Sequence, residues 1–306
     1  MRTTFIDTLC EVAAADPRVW LICGDLGYSV LEKFASAFPD RYLNAGVAEQ
    51  NMTGIAAGLA MTGKTVFTYS IANFPVMRCL EQIRNDVAYH NLNVKVVSVG
   101  GGLAYGYAGY THHGVEDLAV MRTMPNMVVA APGDPAESRA VTRLLAAHNG
   151  PCYLRLGKAG EPKVHAGEVT PAIGQGIWLR PPGRITLIST GGSLRLAAAV
   201  SDRLNAAGIT AGVLSMPTIQ PLDTAALETA AAESEFIATI EEHGVGGLGS
   251  IVAEWLAVTG VRRGFAVFRL ANQPMFTGGS QDDLLTVAGL TEEKIATAIL
   301  SRLSAN

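Results

Sequence analysis

Residues 94–114 read VKVVSVGGGLAYGYAGYTHHG. The first six are mostly β-branched, a run too short for a buried helix and suited to a strand covered on both faces. A glycine-rich stretch follows directly, which ends the strand in a loop. Similar runs lie on either side, at 19–24, 65–70, 127–131 and 152–156, separated by helical patterns near 3–15, 46–61, 73–90, 115–122 and 134–147. Apolar strands alternating with helices imply a parallel sheet with helices on both faces. The pattern lapses from 157 to 184, GKAGEPKVHAGEVTPAIGQGIWLRPPGR, where Gly and Pro interrupt any periodicity. It restarts with strands at 185–189, 212–215, 236–240 and 266–270 and helices around 193–207, 223–233, 248–258 and 292–303. The fold class is α/β: two three-layer αβα domains with mostly parallel sheets, at 1–163 and 184–306, joined by a linker at 164–183.

Composition narrows the class of partner. The chain has 306 residues, the length of two ordinary domains, and its 49% hydrophobic against 16% charged residues requires extensive burial, some of it against other subunits. A net charge of −4 without a Lys/Arg cluster argues against nucleic acid and against a membrane surface. Cys10, Cys23, Cys79 and Cys152 are scattered, which fits free thiols in a reducing cytoplasm better than a disulfide frame or a zinc site. The first twenty residues carry Asp7 and Glu11 and have no uninterrupted apolar core, so they do not read as a signal peptide, and no run approaches the roughly 18 apolar residues of a membrane span.

Two stretches carry chemistry. Residues 43–61, LNAGVAEQNMTGIAAGLAM, hold a single ionisable side chain, Glu49, placed about one turn into its helix. A carboxylate there is either an N-terminal charge interacting favourably with the helix dipole or a group taken into an apolar site and tuned for catalysis. Gly54 and Gly58 in the same helix leave one face open to another backbone. The second stretch is the loop 100–114, which follows a strand end, where open parallel sheets bind ligands. His112 and His113 close it and open a helix carrying Glu116 and Asp117. Adjacent histidines point apart, so proton transfer or hydrogen bonding suits them better than metal chelation. The glycines are not spaced G-x-G-x-x-G, and a Walker-type motif is absent, which disfavours dinucleotide and P-loop readings. Lys158 follows strand 152–156 and is either solvated or an anion contact; Phe74 is either core or a cofactor platform. His90, His148, His165 and His243 form no constellation.

Together these pieces resemble the C-terminal two-thirds of transketolase, the pyrimidine-binding domain followed by the transketolase C-terminal domain. The likeness rests on NAGVAEQNMTGIAAGLAMTG, SIANFPVMRCLEQIRND, YTHHGVEDLAVMRTMPNMVVAAPGD and LRLGKAGEP, then on STGGS, SMPTIQPLD and IEEHGVGGLGS, in the family's order. The resemblance implies thiamine diphosphate as cofactor and Glu49 as the glutamate that hydrogen-bonds N1′ of its aminopyrimidine, on a helix with no competing charge. The cofactor supplies the carbanion chemistry and the protein the proton placement. By the same resemblance Asp25, in CGDLGYS, lies near the thiazolium, Phe74 packs on the pyrimidine and Tyr69 belongs to the same pocket. His112 contacts substrate with His113 as its neighbour, and Arg2, Ser29 and Lys158 stand where the family contacts a sugar phosphate. Lys158 replaces the usual Arg, leaving a point charge without a bidentate fork.

Two positions depart from that pattern. Gly100 stands where transketolase usually has His, and Ala108 where it has Asp, both on the donor-sugar side, so the resemblance does not fix the usual xylulose 5-phosphate as donor. The Gly-Asp-Gly motif of the pyrophosphate domain, which holds magnesium (or calcium) and diphosphate, does not occur here. The resemblance therefore implies the C-terminal subunit of a split transketolase, paired with a separate N-terminal subunit that carries the metal, in an α2β2 heterotetramer. It would move a two-carbon ketol unit from a phosphorylated ketose to an aldose acceptor, with sugar phosphates as its substrate class. The rival readings are the β subunit of a 2-oxo acid dehydrogenase decarboxylating component, half of a deoxyxylulose-phosphate synthase, and a catalytically silent stabilising subunit.

Overall fold

The computed structural model describes residues 1–304. Its strands are β1 (Val19–Cys23), β2 (Tyr42–Asn44), β3 (Thr65–Ile71), β4 (Val94–Val99), β5 (Val128–Ala130), β6 (Cys152–Leu156), β7 (Ile177–Arg180), β8 (Ile185–Ser189), β9 (Ala211–Ser215), β10 (Thr218–Gln220), β11 (Phe236–Ile240) and β12 (Gly264–Phe268). One sheet has the order β10-β5-β6-β4-β3-β1-β2 and the other β12-β11-β8-β9-β7. Pairings are parallel except for two edge strands, β10 against β5 and β7 against β9. Helices cover both faces, as the apolar strands require. Every residue of β4 is buried, even Lys95. Its ammonium donates to the carbonyls of His148 (2.8 Å) and Gly150 (2.5 Å), which satisfies the charge near the start of the strand.

The differences from the sequence expectations are local. Strand 266–270 is shifted to Gly264–Phe268, and helix 73–90 is broken into Phe74–Met77, Leu80–Gln82 and a π-helical turn Ile83–Ala88. The break falls at Cys79, whose φ of −108° and ψ of 10° leave the helical region. The segment 164–183 is not wholly a linker: Ile177–Arg180 forms the edge strand β7 of the second sheet. Thr218–Gln220 returns to the first sheet as β10, so the second half of the chain completes the sheet of the first. Helices Glu32–Ala37 and Gln281–Ala288 were not expected.

The connecting segment is pinned at His165, which is 7% exposed. Its ring lies 3.2 Å from Asp134 and 3.6 Å from Glu137. Asp134 also caps helix Pro135–Ala147 and accepts the backbone N–H groups of Val164 and His165. Burial opposes ionisation of Asp134, but these hydrogen bonds outweigh it and hold the carboxyl well below its usual range. The hydrogen bond to Asp134 raises the His165 pKa against burial, whereas burial raises that of Glu137. A raised histidine pKa gives stability that is fully present below the unfolded value and lost as pH rises through the folded one. Thermal melts of His165→Asn and wild type should therefore differ more at about pH 6 than at about pH 9. Equal gaps at both pH values would show that the imidazole carries no charge in the fold.

Candidate active site

At the C-terminal ends of β1 and β3 the chain builds a pocket around Glu49. Gly46, at φ 72°, turns the chain after β2 with its N–H on Asn44. Residues 46–48 therefore stay out of the helix, and Glu49 is the first residue of Glu49–Met61 rather than one turn in. The carboxylate sits at a helix N-terminus, and its side chain is only 2% exposed. The room comes from Gly24, where an added Cβ would lie 3.4 Å from Glu49 Cγ. Ser70 Oγ donates weakly to Oε1 at 3.4 Å.

The surroundings of Glu49 are not free of charge, as the sequence reading expected. Arg78 Nη1 donates to Glu49 Oε2 at 3.1 Å. The same guanidinium lies over the Phe74 ring, 4.3 Å from its centroid. A flat group bearing N–H donors thus occupies the gap between an aromatic face and a buried carboxylate. Phe74 also makes an edge-type contact with His112, with centroids 5.2 Å apart. Glu49, Phe74 and His112 are brought together; His113 is not.

His112 and His113 do diverge, but they open no helix. His112 ends a short 3-10 turn, Tyr110–His112, and the helix begins at Asp117. His112 is half-buried, with its Nδ1 3.0 Å from Thr111. His113 is fully buried, its Nε2 3.4 Å from the Gly106 carbonyl, and burial lowers its pKa. It is a packing residue that holds the loop.

A second group forms around Tyr105. Its half-buried ring approaches His112 (6.5 Å between centroids) and has the Lys158 ammonium 5.8 Å above it. Burial raises the Tyr105 pKa, and the nearby Arg2 guanidinium lowers it in part. Tyr69 is 1% exposed and its hydroxyl has no partner; burial again raises its pKa, against Arg2. Arg2, Tyr69, Tyr105 and Lys158 are therefore neighbours. Asp25 and Ser29 lie on the exposed loop after β1, both with φ near 60°, a conformation that non-glycine residues seldom adopt. Asp25 accepts from Asn44 at 2.8 Å, and the Ser29 N–H is held by Glu32. Ser29 is thus tied to its own loop rather than to Arg2 or Lys158. Among the described residues no cluster of three or more His, Cys, Asp or Glu side chains is placed to hold a metal.

Sequence reasoning missed Arg78 and Tyr105. Arg78 follows Phe74 by four residues, a spacing that puts the two on one helical face and was available as a signal. For Tyr105 the signal was Gly100, whose role is visible only in three dimensions.

Residues 1–161 match the transketolase pyrimidine-binding domain and residues 174–295 the transketolase C-terminal domain. The chain belongs to the transketolase family. A putative transketolase C-terminal section of Methanocaldococcus jannaschii is 38% identical, over 99% of this chain and 96% of that protein. An apulose-4-phosphate transketolase polypeptide of Phocaeicola vulgatus, one of that enzyme's subunits, is 40% identical, over 84% of this chain and 83% of its own length. A solved split-gene transketolase, an inactive β4 tetramer, superposes with a TM-score of 0.88 at 35% identity, over 99% of this chain and 97% of that one. This chain thus carries the pyrimidine-binding and C-terminal domains of a thiamine-diphosphate-dependent transferase family. No helix among the described residues is long and apolar enough to cross a membrane.

Proposed function

We propose that this transketolase chain transfers a two-carbon ketol unit from a phosphorylated ketose to an aldose, together with an N-terminal subunit in an α2β2 tetramer. The observation that carries the reading is the Glu49–Arg78–Phe74 stack. A guanidinium held between ring and carboxylate marks a slot with the shape and donor–acceptor pattern of an aminopyrimidine. Thiamine diphosphate supplies the carbanion chemistry of ketol transfer when bound. Of this chain's residues, Phe74 supports the pyrimidine face and Glu49 Oε2, once Arg78 is displaced, holds a proton against N1′. Arg78 is 49% exposed, so it has somewhere to go. Tyr69 and Asp25 line the cofactor side, and His112, at the edge of Phe74, hydrogen-bonds the substrate, with His113 fixing its loop. Arg2 and Lys158 attract the substrate's anionic end; the Ser29 hydroxyl, on the loop after β1 and held there through its backbone N–H, is assigned to the same substrate.

Magnesium or calcium and the diphosphate are assigned to the N-terminal partner. Helix Glu49–Met61 supports such a partner: Cβ atoms added at Gly54 and Gly58 would meet nothing within 4 Å, so a neighbouring backbone has room to approach. The units 1–163 and 184–306 serve as cofactor-binding and assembly domains, and the free cysteines fit a cytoplasmic enzyme.

The test is reconstitution. The chain alone and the chain produced with an N-terminal partner that carries the diphosphate motif are assayed with ketose phosphates and with pyruvate. Turnover of ketose is expected in the mixture only. Turnover by the chain alone, or a mixture that consumes pyruvate and no ketose, would overturn the proposal.

A further inference from the structure

Gly100, at φ 84°, begins the loop after β4 and carries the most severe steric restriction in it. An added Cβ would lie 2.0 Å from Tyr105 Cε2 and 2.1 Å from Cδ2. Nothing larger than hydrogen fits at position 100 while the Tyr105 ring is in place. The missing side chain and the ring are therefore one feature: an aromatic slab laid across the end of β4.

That ring borders two features. Tyr105 approaches His112, which touches the Phe74 ring beside Glu49. It also lines a cavity of about 510 Å³ whose walls include Lys158 and, from the second domain, Arg195, Gln281 and Asp282. Arg195 is tied to Asp282 there, whereas Lys158 has no ion-pair partner among the described residues. The cavity is large enough for several sugar carbons, and Tyr105 lines it whereas His112 does not.

We propose that Tyr105 is the residue that sets donor length in this enzyme. Its ring fills space next to His112 and Lys158 Nζ lies over its face, so a short ketose phosphate meets Lys158 at the ring while a longer one has no room for its extra carbons. The proposal rests on the transketolase reading and adds the residue that decides which ketose is accepted. A ring edge excludes extra carbons sterically, so the hydroxyl is dispensable and the ring is not.

The experiment compares wild type, Tyr105→Phe and Tyr105→Ala in the reconstituted enzyme, with a pentulose phosphate and a heptulose phosphate as donors. Tyr105→Ala should raise kcat/KM for the longer donor relative to the shorter by roughly 10-fold or more, the scale on which pocket size discriminates. Tyr105→Phe should keep the wild-type ratio, and the KM for thiamine diphosphate should stay unchanged in both. Calorimetric binding of the same phosphates reads the same ratio without turnover. A complex that binds but never transfers would count against the transketolase reading and leave the partition to be judged on binding. An equal change for both donors in Tyr105→Ala, or a ratio lost in Tyr105→Phe, would overturn the partition.

Discussion

Glu49→Gln should lower kcat of the reconstituted enzyme roughly 10²–10⁴-fold, the range of a lost general acid–base group, while the folded complex keeps its thermal stability. The two halves of this expectation come from one geometry. The carboxylate is 2% exposed, and its partners are a long 3.4 Å contact from Ser70 and the half-exposed Arg78. Burying a charge with so few hydrogen bonds is costly, so a neutral isostere removes a desolvation penalty along with the ion pair. Glutamine keeps the volume between Gly24 and the helix start but cannot exchange a proton. A purely structural Glu49, serving the helix dipole, gives the opposite result: a loss of melting temperature with turnover intact. Parallel measurement of kcat and thermal melting on the same preparations decides between them. Unchanged turnover would also favour the silent-subunit reading.

What was legible in the sequence follows from how local its physical cause is. The strands at 94–99, 152–156, 185–189 and 236–240 are found at their expected positions because a strand buried on both faces needs a continuous apolar run, which needs no partner to be recognised. Glu49 stood out because a lone charge among small residues conflicts with burial at the level of the sequence itself. Helix Gln281–Ala288 has a local signal too, the capping box of Ser280 with Asp283. Other features have no local cause. Thr218–Gln220 is too short to be read as a strand, and pairs with β5 because the second domain folds back onto the first. His165 and His243 are single histidines whose carboxylate neighbours, Asp134 and Asp117, come from distant segments. Arg78 and Tyr105 look like a solvated arginine and one aromatic among several. Only the fold puts the first on Phe74 and the second across Gly100. The lone carboxylate and Phe74 were thus legible, and Arg78 and Tyr105 were not.

The join between the domains should be the most sensitive point for stability, and Arg155 is its centre. Arg155 is 6% exposed and Asp117 is fully buried. Arg155 Nε lies 3.2 Å from Asp117 Oδ2, which also accepts Tyr153 Oη at 2.5 Å. Nη2 donates to the carbonyls of Gly114 (2.6 Å), in the active-site loop, and Glu242 (2.8 Å), in the second domain. The loop glycines make this possible: a Cβ at Gly101 would lie 2.1 Å from Arg155 Nε, and one at Gly102 would lie 2.5 Å from Glu242 Cδ. His243 approaches Asp117 at 3.7 Å but adds no charge. Burial lowers its pKa to about 4, and its Nε2 accepts the Ala119 N–H. The ion pair within contact distance is therefore Arg155 with Asp117, and the guanidinium also favours the charged forms of the buried Glu241 and Glu242, so removing either partner unbalances a buried charge cluster. Arg155→Met or Asp117→Asn should cost about 3–5 kcal/mol, or roughly 6–20 °C of melting temperature. The double replacement Asp117→Asn with Arg155→Met should recover part of that loss, because it leaves neither member of the pair without the other. Gly101→Ala should destabilise as well, by pushing the guanidinium off its acceptors without touching a charge. Melting of the four variants in one buffer tests the account. A loss below about 1 kcal/mol in both single variants, or strict additivity in the double, would show that the charges are solvated and that the loop and the second domain are held together by packing alone.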